Sequence, residues 1–264
     1  MKIIHTFVVL AYKESDKLEE CIKSVLNQKY KSEVVIATST PNKFISDIAK
    51  KYNLKIIKNP NPGKGIGADF DFASNCVNSK LVTIAHQDDI YDFDYSDQVV
   101  KYYNKYKDST IIFTDYYEIK GNDKVFSNKN LKIKRLLLFP LKFHKISSFR
   151  FIKRCCGRLG CAICCPAVTF VQGNVPKSKF DSNFKCDVDW YAWEKLSNYK
   201  GRFIFINKKL MGHRISEEST TTKIINEGIR TKEDFEMFKK FWPLSVAKFI
   251  NKFYIKSEKN NSEI

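Results

Sequence analysis

A chain of 264 residues, 43% of them hydrophobic, is long enough to bury a full core and too apolar for general disorder. No apolar run reaches the roughly 20 residues a membrane-spanning helix needs, and the opening MKIIHTFVVLAYKESD lacks a small-residue cleavage site, so it reads as a first strand and not a signal peptide. The net charge of +17 calls for an anionic partner: nucleic acid, a membrane surface or a phosphate-rich substrate.

IIHTFVVLAY is a continuous apolar run of the kind found in central parallel strands. SDKLEECIKSVLNQ follows with Leu18, Ile22, Val25 and Leu26 at helical spacing and Ser15 as the expected N-cap. EVVIATS is a second strand, NKFISDIAKKYN a helix capped at Asn42, and LKIIKN a third strand. After the turn-rich NPNPGKGIG come the helix GADFDFASNCVNS, the strand KLVTIAH, the helix YSDQVVKYYNKY and the strand STIIFTDYYEI. This alternation predicts an α/β fold, a mostly parallel sheet flanked by helices.

Beyond about residue 125 the alternation fails. Lys124 to Lys179 holds thirteen Lys and Arg and no Asp or Glu. Apolar residues interleave with these cations, which favours a membrane surface over nucleic acid, and amphipathic helices are expected around Leu136 to Phe151. Five of the eight cysteines cluster in CCGRLGCAICC. A zinc site could draw on Cys161 and Cys164, but the spacing fits no standard ligand set, and buried thiols acting as small hydrophobes are preferred. AVTFVQG then reads as a strand, DVDWYAWEKLSNY as a helix and RFIFINKKLMGHR as a strand. Terminal amphipathic helices follow, broken at Pro243.

Ligands bind beyond the carboxyl ends of parallel strands, which marks the loops Ala11 to Glu14, Ala37 to Pro41, Asn59 to Gly67 and His86 to Tyr91. No dinucleotide or P-loop glycine pattern follows the first strand. At HQDD, adjacent Asp88 and Asp89 repel each other and need compensation, from a cation such as Mg²⁺ or Mn²⁺ or from a helix N-terminus.

The strand ending near AY, the TSTPN loop, HQDD, DVDWYAW and GHRISEEST occur in an order that resembles the GT-A glycosyltransferases of family 2, over residues 4 to 220. These enzymes transfer a sugar from a nucleotide-sugar donor, usually with inversion. The resemblance implies a Rossmann-like GT-A fold in which Ala11, Tyr12, Glu14, Thr38, Ser39, Gly65, Asp69, Gln87, Asp89 and Arg214 serve the donor. It implies Asp88 as the ligand of Mn²⁺ or Mg²⁺, with His86 and His213 as further ligands, and Asp189 as general base with Asp187 as its rival. Both carboxylates also suit a helix N-terminus, and Trp190 and Trp193 could stack on acceptor sugars or pack in the core. Two positions depart from the family pattern: Thr38, Ser39 and Thr40 stand where an Asp usually reads the base, and His86 replaces the first Asp of the metal motif, which leans toward Mn²⁺.

A transferase domain over 1–225 is therefore expected, with a donor half to 120, a basic segment near 125–165, an acceptor and base region over 166–225, and a helical tail over 226–264. The expected partners are a nucleotide-sugar donor, a glycan or polyprenyl-diphosphate-linked acceptor and an anionic membrane surface, but no nucleic acid. The expected place is the cytoplasmic face of the membrane, in surface-polysaccharide synthesis.

Overall fold

The computed structural model describes residues 3–180, 183–215 and 228–262. Its first half alternates as the apolar runs dictate: β1 (His5–Ala11), α1 (Leu18–Leu26), β2 (Glu33–Thr38), α2 (Lys43–Lys51), β3 (Lys55–Lys58), α3 (Ile66–Asn75), β4 (Leu81–His86), β5 (Ile90–Tyr91), α4 (Tyr95–Lys105) and β6 (Ser109–Lys120). Asn42 caps α2 as expected, its Oδ1 accepting the Ile45 N–H at 2.8 Å. Ser15 does not cap α1. The helix begins two residues later with Lys17 at the cap position, and the Ser15 hydroxyl takes the Lys17 N–H instead.

The remainder comprises β7 (Asp123–Val125), α5 (Lys129–Leu138), α6 (Arg150–Arg154), β8 (Val168–Val171), α7 (Val188–Ser197), β9 (Arg202–Ile215), α8 (Ile229–Phe241) and α9 (Leu244–Ser262). The basic segment differs from expectation. Its main helix starts earlier, at an Asn128 cap, and stops before Pro140, which lacks an N–H to continue the ladder. Only the short α6 follows. Pro243 separates α8 from α9, as anticipated.

The sheet runs β3-β2-β1-β4-β8-β6-β9-β5, with β7 hairpinned onto β6. The β3-β2-β1-β4 half is parallel, while β8 runs antiparallel between β4 and β6, so the sheet as a whole is mixed. β6 and β9 pair in parallel with register shifts at Thr114 and Asp115. Past the shifts β9 pairs with β5, which lies just beyond β4. Thus His213 and Arg214, late in the chain, return to the carboxyl end of β4.

One apolar cluster, with Phe7, Ile22, Ile45 and Tyr95, packs α1, α2 and α4 on the sheet. A second, with Val8, Phe70, Phe170 and Trp193, packs α3, α7 and the cysteine loop. Trp190, Met237, Phe238 and Ala247 form a third, which fastens α8 and α9 to α7. Among the described residues no helix is long and apolar enough to cross a membrane.

Candidate active site

The four loops marked in the sequence lie at one edge of the sheet and are bonded to each other. The Gln87 amide makes a reciprocal pair with the Tyr12 backbone, accepting its N–H at 2.9 Å and donating to its C=O at 3.0 Å. This ties the end of β4 to the end of β1. Lys13, in a left-handed conformation at φ 55°, donates its N–H to Thr40 Oγ1. Ser39 Oγ and Asn59 Nδ2 both donate to the Asp69 carboxylate, at 3.0 and 2.8 Å, joining the loops after β2 and β3 to α3. Thr38 is buried and accepts the Thr40 N–H, and Ala11 is buried opposite it in the register. Tyr12 and Glu14 are exposed at the rim.

Gly65 opens α3 at φ 92°, a conformation that favours glycine, with open space where a side chain would stand. Gly67 is closely packed, since an added Cβ would stand 2.7 Å from the Phe180 carbonyl oxygen.

Asp89 is fully buried. Its Oδ1 accepts the Arg214 N–H at 2.9 Å and lies 3.0 Å from His213 Nδ1. Burial works against a charged His213 ring, yet Asp89 outweighs it and His213 titrates above its ordinary value. The Arg214 guanidinium donates to the Asp88 carbonyl and to Glu20 Oε2, so it braces the loop while Glu20 offsets part of its charge. Burial, with Asp89 next to it, pushes the Asp88 carboxyl up. Burial pulls His86 down, so its ring is neutral and able to ligate. The His86 ring stacks on Phe70, with centroids 5.1 Å apart.

Among the described residues no three His, Cys, Asp or Glu side chains converge into a ready-made metal centre. Buried His86 Nε2 and Asp89 Oδ2 nevertheless have no hydrogen-bond partner. Two or three first ligands of this kind suit Mn²⁺ or Mg²⁺, which complete their shells with substrate phosphates and water.

Asp189 stands in the first turn of α7. Its Oδ1 accepts the Trp190 N–H at 2.7 Å, and its Oδ2 has only the weak Cys161 thiol at 3.7 Å. Burial raises its proton affinity. Asp187 is buried too. That burial, with Asp234 and Asp189 nearby, pushes it up to about 9 and keeps it protonated at neutral pH. The loop before α7 is held from outside, since the Glu233 carboxylate on α8 accepts the N–H groups of Lys185, Cys186 and Asp187 at 2.7, 2.7 and 3.0 Å.

Trp190 and Trp193 are both core residues, the former donating to the Gly157 carbonyl, so neither offers a face to a sugar. All eight cysteines are free thiols, and burial raises Cys161, Cys164 and Cys165 well above the ordinary range. The SEEST portion of the late segment lies outside the described residues. Asn59, Glu20 and Glu233 were not singled out in the sequence. Each is an ordinary polar residue whose role appears only when the fold brings it to a partner 10, 194 or about 47 positions away.

A family described as Glycosyl transferase family 2 matches residues 6–175, more than half of the chain. No curated protein sequence matches it. The chain is similar to the crystal structure of S. aureus TarS 1-349 in complex with UDP-GlcNAc, at 13% identity and a TM-score of 0.62, covering 96% of this chain and 72% of that one. It is similar to the mannosyltransferase PcManGT from Pyrobaculum calidifontis in complex with GDP-Man and Mn²⁺, at 14% identity and a TM-score of 0.62, covering 94% and 69%. It spans 42% of the longer S. aureus TarS structure, with a TM-score of 0.57 and 14% identity. At these identities the likeness is one of fold.

Proposed function

The chain belongs to glycosyl transferase family 2, and from that premise we propose that it is an inverting transferase moving a sugar from a nucleoside-diphosphate donor to a hydroxyl of a glycan or polyprenyl-diphosphate-linked acceptor. One observation carries this reading: the loops after β1, β2, β3 and β4 are hydrogen-bonded into a continuous platform beside half-buried Asp88 and buried Asp89. A platform fixed in advance spares a ligand the cost of ordering it.

In this reading the base and ribose lie over Ala11, Tyr12, Glu14, Thr38, Ser39, Gly65 and Asp69, with Gln87 keeping the first and fourth loops in register. Asp88 and His86 would hold Mn²⁺ or Mg²⁺, with the His213 Nε2 within the same end of the sheet. When bound, such a cation neutralises charge on the departing diphosphate. Asp89 fixes His213 and the Arg214 backbone, and Arg214 adds positive charge at the Asp88 turn.

Asp189 Oδ2 takes the proton of the acceptor hydroxyl as its oxygen attacks the anomeric carbon. The bond from that carbon to the diphosphate oxygen breaks, and the electron pair leaves with the nucleoside diphosphate. Burial makes Asp189 a stronger base than a free carboxylate, and its Trp190 hydrogen bond orients it. Asp187, already protonated, is the poorer base.

Ile133, Leu136, Phe139, Phe143, Phe149 and Phe151 are exposed among the cations of the basic segment. That pattern supports attachment to an anionic cytoplasmic membrane face, where a lipid-linked acceptor resides. Calorimetry with UDP- and GDP-sugars, with and without Mn²⁺, tests the reading. Binding strengthened by metal and lost in Asp88→Ala is expected, and a wild-type protein that binds no nucleotide would overturn it.

A further inference from the structure

Two adjacent cations on α5 have different surroundings. Arg135 is paired, its Nε donating to Asp115 Oδ2 at 2.8 Å and its guanidinium to the Tyr116 carbonyl at 3.1 Å. Lys134 has no carboxylate within ion-pair distance among the described residues. Among the described residues its one hydrogen bond is to the Tyr116 hydroxyl, at 2.9 Å from Nζ. An ammonium carries three donors, so two are left unspent.

Other enclosed lysines do not share this condition. Lys153 donates to the Tyr199 and Gly201 carbonyls, and Lys179 to those of Pro176 and Lys177. Burial draws both down to about 8. Among the described residues Lys134 has no carbonyl partner, and although burial works against its charge, the Tyr116 hydroxyl that accepts from Nζ helps to raise its proton affinity.

Its position gives that charge a use. The Tyr116 ring meets the His213 ring edge-on at 6.1 Å, and His213 is fixed to Asp89. The Lys134 charge also lowers the proton affinity of Asp189. Lys134 is thus linked through Tyr116 to the end of the sheet that carries His213 and Asp89. A partly enclosed cation without a counter-ion costs free energy that an anionic ligand would return.

We propose that Lys134 is a phosphoryl-binding residue, its two free donors meeting a substrate phosphate beside Tyr116 and His213 near the Asp88–Asp89 turn. The proposal rests on the nucleotide-sugar reading above. The phosphate has two chemical sources, the diphosphate of the donor or the phosphate of a lipid-linked acceptor.

The test compares wild type, Lys134→Gln and Lys134→Arg, each checked by thermal melting. The probes are UDP and GDP by calorimetry and polyprenyl phosphate in detergent micelles. Losing a charge-assisted contact should weaken one probe by about tenfold or more in Lys134→Gln, with Lys134→Arg closer to wild type. Loss for the nucleotides places the contact on the donor, and loss for polyprenyl phosphate alone places it on the acceptor. If wild type binds nucleotide and Lys134→Gln binds both probes equally well, the proposal fails while the wider reading stands. If wild type binds no nucleoside diphosphate, the wider reading fails and takes this proposal with it. Should Lys134→Gln not fold, Lys134→Met takes its place, and unaltered affinity of that variant for both probes would overturn the role.

Discussion

His213 Nδ1 lies 3.0 Å from Asp89 Oδ1 across 124 positions of sequence, and the same oxygen accepts the Arg214 N–H. This one carboxylate fastens the returning end of β9 to the turn after β4. Asp89→Ala leaves a partly exposed ring and a backbone N–H without their acceptor, and should lower unfolding stability by about 1–3 kcal/mol. His213→Ala should cost less. In a double-mutant cycle read by urea denaturation the two losses should add to less than their sum.

Glu233 accepts three backbone N–H groups just before α7. Glu233→Ala orphans all three, so a loss of about 2–4 kcal/mol is expected. Because that loop leads into the first turn of α7, which carries Asp189, and not into the donor platform, kcat should fall while nucleotide affinity stays near wild type. Equal damage to both would show that Glu233 acts on the whole fold.

Asp189→Asn preserves shape and the Trp190 hydrogen bond but cannot take a proton. Turnover should fall by about two to four orders of magnitude with donor binding retained, as removal of a general base predicts. Retained turnover would pass the role to another group.

His5 is buried, bonded to Ser32 and Thr83, and burial lowers it to about 3. The unfolded ring titrates near its ordinary value of about 6.5. Between these values the unfolded chain binds the extra proton, so this group's contribution is present above about pH 6.5 and is lost as pH falls toward 3. Asp187 works in the opposite sense, its contribution declining as pH rises toward about 9. The measurement is therefore the difference between wild type and His5→Gln. That gap should shift by about 2 kcal/mol in favour of wild type from pH 5 to pH 7.

Replacing exposed Lys132, Lys142, Lys145 and Arg150 by Gln removes four surface charges from the basic segment. At about 1 kcal/mol for each cation near an anionic bilayer, binding to phosphatidylserine vesicles should fall by a hundredfold or more. Sedimentation with vesicles gives the answer, and unchanged binding would remove the membrane from the proposed function.

The parallel half of the sheet was readable because central strands are continuous apolar runs bounded by turn residues. β5, two residues long, and the short hairpin strand β7 carry too little pattern to be seen. In the basic segment the helix starts at the Asn128 cap and ends before Pro140, and not around Leu136 to Phe151, because a single Asn in a cation-rich run is a weak start signal beside the longer apolar stretch that follows. HQDD and DVDWYAW stood out as clustered carboxylates at element ends. Their supports did not, because Glu20, Glu233 and Tyr116 reach them only across long stretches of chain. Lys134 looks like every other lysine of its run until its partners are counted.

The Glu233 clamp also has a consequence in time. Synthesis runs from the N-terminus, and early segments can pair before later ones emerge. The donor loops draw on strands made in the first third of the chain. The loop that leads into the α7 turn with Asp189 waits for α8, near the end, to supply the carboxylate that closes it. A nascent or prematurely ended chain would therefore acquire its nucleotide platform first and its base last, so that incomplete molecules could hold a donor without spending it.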